Sequence, residues 1–527
     1  MRVLYVLDPA TGREIDRQEL PPPPSVFHDL RFADFYRAVL QVRDLDRDGA
    51  DEVFVHYLHY PHWPSYCLLW EPRIGRLRTV LVAAGHHQLA AAEDLDGDGE
   101  LELIFLGTAN RLGFNQALAA VSLIPPLGTT AGIPGTAATP GETYNHGFRD
   151  SFDWYALLPA SARFSPESVR IDRRRRRILV RAHNGSPIAL SFDGFIVGTG
   201  EREERPPAER RERRQRAYYE LSEVQRLDAA GFTAAARAAL ARARAHATAA
   251  GDPLLVGWCD RLAAGFLALD GALDRAEARF AALYDGADVP PNVAYDAGRA
   301  MYLAGDPERA ASWFERSLGH GSTAGVARGQ WEMLVGLVLA RLESGDFVAA
   351  RDEVERFQLA YGPALYLEIL RSWIDFRAGV PEVVLSPDPE DEPIADVFRY
   401  WHLELRRAAG EDPAAVLADV ELGLARTSEE SQELLHLLAA ELLLALDRPR
   451  AAFDAARGAF RRLWLDARRF ETARAHLDLA VARYARAARA AGLEAEARAA
   501  EERYARWRAA QPAPVPVGDG PPRRAGP

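Results

Sequence analysis

The sequence contains no lysine: all 64 of its strongly basic residues are arginine. That absence removes chemistry. A P-loop needs a lysine on the nucleotide phosphates, a protein kinase needs its strand lysine, and pyridoxal phosphate needs an amine for its Schiff base. None of these can be housed here. Arginine in place of every lysine also points to a GC-rich genome. Cysteine is nearly missing too. Cys67 and Cys259 fall in different expected domains, which excludes a disulfide framework and a cysteine-based zinc site. Each reads as a small buried hydrophobe. Long apolar runs are lacking. Met333 to Leu342 and Leu434 to Leu446 (broken by Glu441) are too short or too interrupted to span a bilayer. The apolar start, Met1 to Leu7, stops at Asp8 and lacks the shape of a signal peptide, so the chain as written reads as cytoplasmic. No G-x-S-x-G elbow, H-E-x-x-H pair or phosphate-binding glycine loop occurs, and the expectation is a protein that is not an enzyme. A formal net charge of −12 argues against nucleic acid or an anionic membrane as partner.

What is abundant is acid at fixed spacing. Asp44-Leu45-Asp46-Arg47-Asp48-Gly49-Ala50-Asp51-Glu52 returns fifty residues later as Asp94-Leu95-Asp96-Gly97-Asp98-Gly99-Glu100-Leu101-Glu102. Both read D-x-D-x-D-G-x-x-E. Carboxylates at positions 1, 3, 5 and 9 (Asp44, Asp46, Asp48, Glu52; Asp94, Asp96, Asp98, Glu102) can converge on one hard cation. Position 7, Ala50 or Glu100, can add its backbone carbonyl. Calcium takes six to eight oxygens at roughly 2.3–2.6 Å, and this set with a water or two supplies them. The glycine at position 6 permits a sharp turn. An EF-hand is excluded, because position 12 is Val55 or Phe105 where that motif needs a bidentate Glu between helices. The flanks are β-formers: Val39 to Val42 and Val53 to Val55, Leu89 to Ala92 and Leu103 to Leu106. Strand, acidic loop, strand at a fifty-residue period resembles the FG-GAP or VCBS repeat of integrin-α-like β-propellers. The resemblance implies bound Ca²⁺ that braces the fold.

Residues 1–200 read as all-β. Val3 to Leu7, the turn Asp8-Pro9-Ala10-Thr11-Gly12, and Arg13 to Ile15 form a hairpin phrase. Tyr66 to Trp70 and Leu77 to Val82 form another, and Val169 to Ile171 with Ile178 to Arg181 a third. About fifty residues per blade gives roughly four blades, a small or partial propeller. Pro125 to Tyr144 is a long Gly/Thr/Pro-rich loop. The five arginines Arg173 to Arg177 sit at a hairpin tip and read as a solvated turn. His56, His59 and His62 invite a transition-metal reading, and with it a metal-dependent hydrolase or glycan binder on the β face. Pro61, Pro64 and the surrounding aromatics argue for a loop instead.

Residues 201–216 are a charged linker with a Pro206-Pro207 break. From 217 to 510 the period becomes helical. Gly298, Ala300, Tyr302, Gly305-Asp306, Ala310, Phe314 and Leu318 set the pattern. Ala264, Leu267, Gly271, Ala276 and Phe280 repeat it, as do Leu334, Ala340, Gly345-Asp346-Phe347, Ala350 and Val354. Gly231, Gly410, Asp447-Arg448-Pro449 and Gly492 mark further turns, for about seven helix pairs. This resembles the tetratricopeptide repeat, an all-α solenoid whose small residues let two helices approach and whose Phe fills the gap. The resemblance implies a concave groove that docks a protein or peptide. Its carboxylate-clamp form, with Asn and Lys on the first helices, is not matched: the array has only Asn292. Residues 511–527 read as a disordered Pro/Gly-rich tail.

The functional expectation is a calcium-binding scaffold for protein–protein interaction. The alternative is the regulatory or sensory part of a bacterial signalling system of the Ser/Thr kinase type. Calcium loops of this class fill at roughly 10⁻⁴–10⁻³ M, which would place the protein outside the cytoplasm if upstream sequence supplies export.

Overall fold

A computed structural model describes, in the N-terminal part, residues 2–7, 11, 13–20, 37–44, 51–58, 65–71, 76–83, 87–97, 101–109, 114–122, 154–159, 162–163, 165–182 and 184–197. In the C-terminal part it describes 208–285, 293–320, 330–380, 396–426, 432–467 and 471–510. The Pro125 to Tyr144 loop, the turn residues Asp8 and Gly12, Asn292, and the 511–527 tail lie outside the described residues. The chain divides into two compact units: Met1–Ala263 with Ala282–Asn292, and Ala264–Ala281 with Val293–Pro527.

The first unit holds four antiparallel sheets among its described residues. β1 (Arg2–Leu7) pairs with β2 (Glu14–Leu20). β3 (Arg37–Arg43), β4 (Glu52–Leu58), β5 (Ser65–Glu71) and β6 (Arg76–Ala83) form a meander in chain order. So do β7 (His87–Glu93), β8 (Glu102–Ala109), β9 (Phe114–Ser122) and β10 (Trp154–Leu157). The last sheet is β11 (Val169–Asp172), β12 (Arg177–Arg181), β13 (Pro187–Ser191) and β14 (Ile196–Val197). The stretch from Pro187 to Val197 is therefore two strands, because Gly194, at φ 75°, turns the chain between them. The two acidic segments occupy the same place in their sheets, between a first and a second strand whose last pairs are Arg43 with Glu52 and Glu93 with Glu102.

Neighbouring sheets pack through alternating apolar side chains. Ala90, Ile104, Leu106 and Ala156 of one sheet bury against Val169, Ile178, Val180 and Leu190 of the next. Burying each of the Val, Leu and Ile side chains stabilises by about 1.5–3 kcal/mol relative to leaving it exposed. The β3–β6 sheet meets the β7–β10 sheet through Gln41, whose amide donates to the Leu89 carbonyl at 2.9 Å.

The segment read as a linker is helical from Ala208, where α1 (Ala208–Ala229) begins. Its arginines hold the helix onto the last sheet. Arg214 is buried, donates to the Asp193 carbonyl and lies 3.8 Å from the Phe195 ring centre. Arg211 pairs with the Asp193 carboxylate at 3.2 Å. Charge in this stretch serves packing: the guanidinium satisfies a turn carbonyl that burial would otherwise leave unpaired. Helix α2 (Thr233–Ala250) packs along α1 with Ala236, Ala239, Ala243 and Ala247 buried, and α3 (Pro253–Leu269) and α4 (Leu273–Tyr284) follow in the chain.

The second unit is all-α. It contains α5 (Val293–Ala304), α6 (Pro307–His320), α7 (Gln330–Glu343), α8 (Phe347–Tyr361) and α9 (Leu365–Arg377). It continues through α10 (Asp396–Ala408), α11 (Pro413–Arg426), α12 (Gln432–Ala445), α13 (Pro449–Asp466), α14 (Glu471–Ala475), α15 (Leu477–Ala490) and α16 (Glu494–Ala509). The α5–α6 turn shows how the pairs are made. Gly305, at φ 95°, ends α5: its N–H donates to Tyr302 and that of Asp306 to Met301, both at 2.9 Å. Asp306 then caps α6 by accepting from the Arg309 N–H at 3.0 Å, and Pro307 takes the first helical position. Gly345, Asp346 and Phe347 repeat the turn between α7 and α8.

Helix approach is set by Phe314, which is fully buried. A Cβ on Gly298 of α5 would stand 2.7 Å from its ring, and so would one on Gly336 of α7. One ring thus fills the space between three helices, and two glycines are needed to admit it. Gly298 was legible as a small position; Gly336 supplies the second gap, from α7.

Candidate functional site

The second acidic segment brings three carboxylates together. Strand β7 delivers Asp94 and β8 begins with Glu102, and the reversal between them places Asp94, Asp96 and Glu102 together. One ligand oxygen from each lies within 4.8 Å of the other two. Two oxygens on opposite sides of a calcium ion at about 2.4 Å are about 4.8 Å apart, so the grouping has the right size. The loop is held by its own carboxylates. Asp94 Oδ1 accepts from the Gly97 N–H at 2.6 Å, and Glu102 Oε2 accepts from the Leu95 N–H at 2.6 Å. Gly97, at φ 90°, makes the reversal that an L side chain resists. Glu102 is buried, Asp94 half-buried and Asp96 exposed, which leaves the grouping open to solvent on one side. The donor set is all oxygen, the chemistry of a hard cation.

Asp98 and Glu100 lie outside the described residues, as do Asp46, Asp48 and Ala50 of the first segment. Of that first set, Asp44 is exposed at the end of β3 and Glu52 is buried at the start of β4. The strand pairs that flank the two segments match, Arg43 with Glu52 and Glu93 with Glu102.

The arginine turn between β11 and β12 does more than face solvent. Arg173 grips Glu93 with Nε, 2.8 Å from each carboxylate oxygen, and Arg176 Nη2 donates to the Leu95 carbonyl at 2.6 Å. Arg176 reaches there from a left-handed backbone, φ 53°. Two of the five arginines therefore clamp the base of the acidic loop on the neighbouring sheet. No local pattern signals a pairing across 80 residues.

Of the three histidines, only His56 falls among the described residues. His56 is buried on β4, with Nε2 3.2 Å from Gln41 Oε1 and 3.8 Å from Cys67 Sγ. It packs near the Phe105 ring. His59 and His62 lie outside the described residues. Among the described residues, Asp94, Asp96 and Glu102 form the one grouping of three such side chains close enough to share a metal. Both cysteines are buried and unpaired with each other, and burial pushes the Cys259 thiol up to about 12.

In the helical unit, α5 and α7 are the first helices of successive pairs and lie side by side. The face they share is covered by α14 from the same chain. Arg299 Nε of α5 pairs with Glu471 at 2.8 Å, and Arg474 pairs with Glu343 of α7 at 3.1 Å. Arg474 also donates to the Leu303 carbonyl at 3.3 Å and lies 5.0 Å from the Trp507 ring centre. Behind it, His476 is enclosed by Trp373, Tyr400 and Trp401. Trp401 Nε1 donates to His476 Nε2 at 2.9 Å, and His476 Nδ1 contacts the Thr472 carbonyl at 2.6 Å. That is the hydrogen-bond set of a neutral imidazole, and burial pulls its pKa down to about 4. Further along, the buried Glu404 pairs with the buried Arg483 at 2.6 Å and with Arg407 at 2.6 Å.

No family model and no curated protein matches the chain. A solved structure of the human IFIT1 dimer with PPP-AAAA is similar to it at 14% sequence identity and a TM-score of 0.31, covering 57% of this chain and 72% of that one.

Proposed function

We propose that this is a non-catalytic, calcium-binding interaction protein. Its sheets are blades of the FG-GAP or VCBS type, braced by Ca²⁺, and its helix pairs are tetratricopeptide-like repeats that dock a protein or peptide. The observation that carries the reading is the convergence of Asp94, Asp96 and Glu102 at the reversal between β7 and β8. The equal register of the Asp44 to Glu52 segment supports a second site. The meander order of each four-stranded sheet is that of a propeller blade. The residues fit the ion: Asp94, Asp96, Asp98, the Glu100 carbonyl and Glu102 would hold it. Calcium would supply positive charge that lets buried carboxylates stay ionised and ties two strand ends together; no bond is made or broken.

Calcium titration calorimetry tests the metal half. Two sites on the wild type, one on Asp96→Ala and none on Asp46→Ala with Asp96→Ala support it. The absence of any heat of binding up to about 5 mM, beyond the usual extracellular-module range, contradicts it. Crosslinking tests the docking half, through carboxylates because the chain offers no lysine amine. Links to a co-purifying partner fall on 217–510 under this reading, and links confined to 1–200 contradict it.

A further inference from the structure

The face shared by α5 and α7 does not stand open. It holds a segment of the chain itself, and what holds it is polar and paired. The receiving side offers the Arg299 guanidinium and the Leu303 carbonyl on α5 and the Glu343 carboxylate on α7. The inserted side offers Glu471 and Arg474, three residues apart and so on one face of a helical turn. Carboxylate meets guanidinium and guanidinium meets carboxylate. The inserted helix is only five residues long, and His476 separates it from α15. Five residues are far too few to be helical without support, so α14 owes its shape to the surface beneath it. Its side chains are buried there: Glu471 is 11% and Arg474 2% exposed. This is the geometry of a helical ligand in a groove, except that the ligand is covalently attached.

We infer that the α5–α7 face is a docking site for a partner's helical segment carrying an acidic residue and an arginine one turn apart, and that α14 occupies it as a displaceable internal competitor. The inference rests on the docking reading above and adds its location and the chemistry of the partner. An internal competitor lowers the apparent affinity of a partner by the fraction of time the face is covered. It therefore makes docking conditional on α14 leaving, and a variant with a weakened α14 should bind where the wild type does not.

The probe is a fluorescein-labelled peptide of residues 468–480, added to the full chain and followed by anisotropy. The expected result is binding to the E471A/R474A protein at least tenfold tighter than to the wild type. Arg299→Glu in that background should remove the binding, and a peptide carrying E471A and R474A should not bind. A folded E471A/R474A protein, helical by circular dichroism, that leaves the wild-type peptide unbound overturns the inference. If that variant does not fold, hydrogen exchange on the wild type decides. Faster exchange of 471–475 than of α5 and α7 supports a displaceable segment, whereas exchange at the common rate makes α14 a permanent part of the core and overturns it. The docking reading fails on a different result, the position of the partner crosslinks, so the two failures are distinguishable.

Discussion

Gly298→Ala sets two ordinary effects against each other, and the structure says which wins. In an exposed helix interior the change stabilises by about 0.8–1 kcal/mol, because alanine gives up less backbone freedom than glycine. In α5 the new methyl would stand 2.7, 2.8 and 2.9 Å from three atoms of the Phe314 ring. Those separations are well inside the 3.5–4.0 Å at which carbon atoms attract. The ring cannot retreat, since its far edge lies as close to the Cβ position of Gly336. Overpacking of a filled core costs about 1–3 kcal/mol, so the expected net effect is a loss of about 1–2 kcal/mol despite the propensity gain. Phe314→Leu removes the obstruction at its own cost. The double variant should then lose less than the two single losses combined, by about 1 kcal/mol of coupling. The readout is hydrogen exchange of peptides from α5, α6 and α7, which reports local opening energies in a protein with more than one cooperative unit. A Gly298→Ala protein that is more stable in α5–α7 by about 1 kcal/mol, with no coupling to Phe314→Leu, would refute the close approach and with it the reason for two glycines.

The buried imidazole of His476 gives a pH signature. Its folded pKa of about 4 lies below the ordinary value of 6.5, so between those limits the unfolded chain binds a proton that the folded chain does not. Stability of the helical unit should fall as pH drops from about 6.5 to 4, by about 3 kcal/mol from this group, and His476→Gln should flatten that part of the profile. Arg483→Met should cost about 1–3 kcal/mol by removing one of the two guanidiniums on the buried Glu404, which keeps Arg407, whereas Arg483→Met with Glu404→Leu should recover part of the loss. Both are read by denaturant unfolding of the full chain followed by helical circular dichroism.

Much of the architecture was legible because it is local. Strand type and the Gly-Asp turns at 305 and 345 follow from residues within a few positions of each other. The acidic spacing located Asp94, Asp96 and Glu102 for the same reason. What stayed hidden depends on pairing across the chain. Gly336 matters only because Phe314 comes from another helix. Arg173 and Arg176 looked like solvated charge because Glu93 and Leu95 lie some 80 residues earlier. The arginines at 211 and 214 read as linker because their partner, Asp193, sits on the preceding sheet. The covering of the α5–α7 face joins residues 131 and 171 positions apart, for which no sequence period exists.

The most direct test of the central claim is segment-resolved hydrogen exchange with calcium at about 2 mM and with EDTA. The account predicts slower exchange in calcium for the β3–β4 and β7–β8 strand ends, with little change in the helices from 293 to 509. A ligand present at about 100 times its Kd stabilises the form it binds by about 2.7 kcal/mol, a shift such exchange resolves. Identical exchange at 44–52 and 94–102 in both conditions would contradict it.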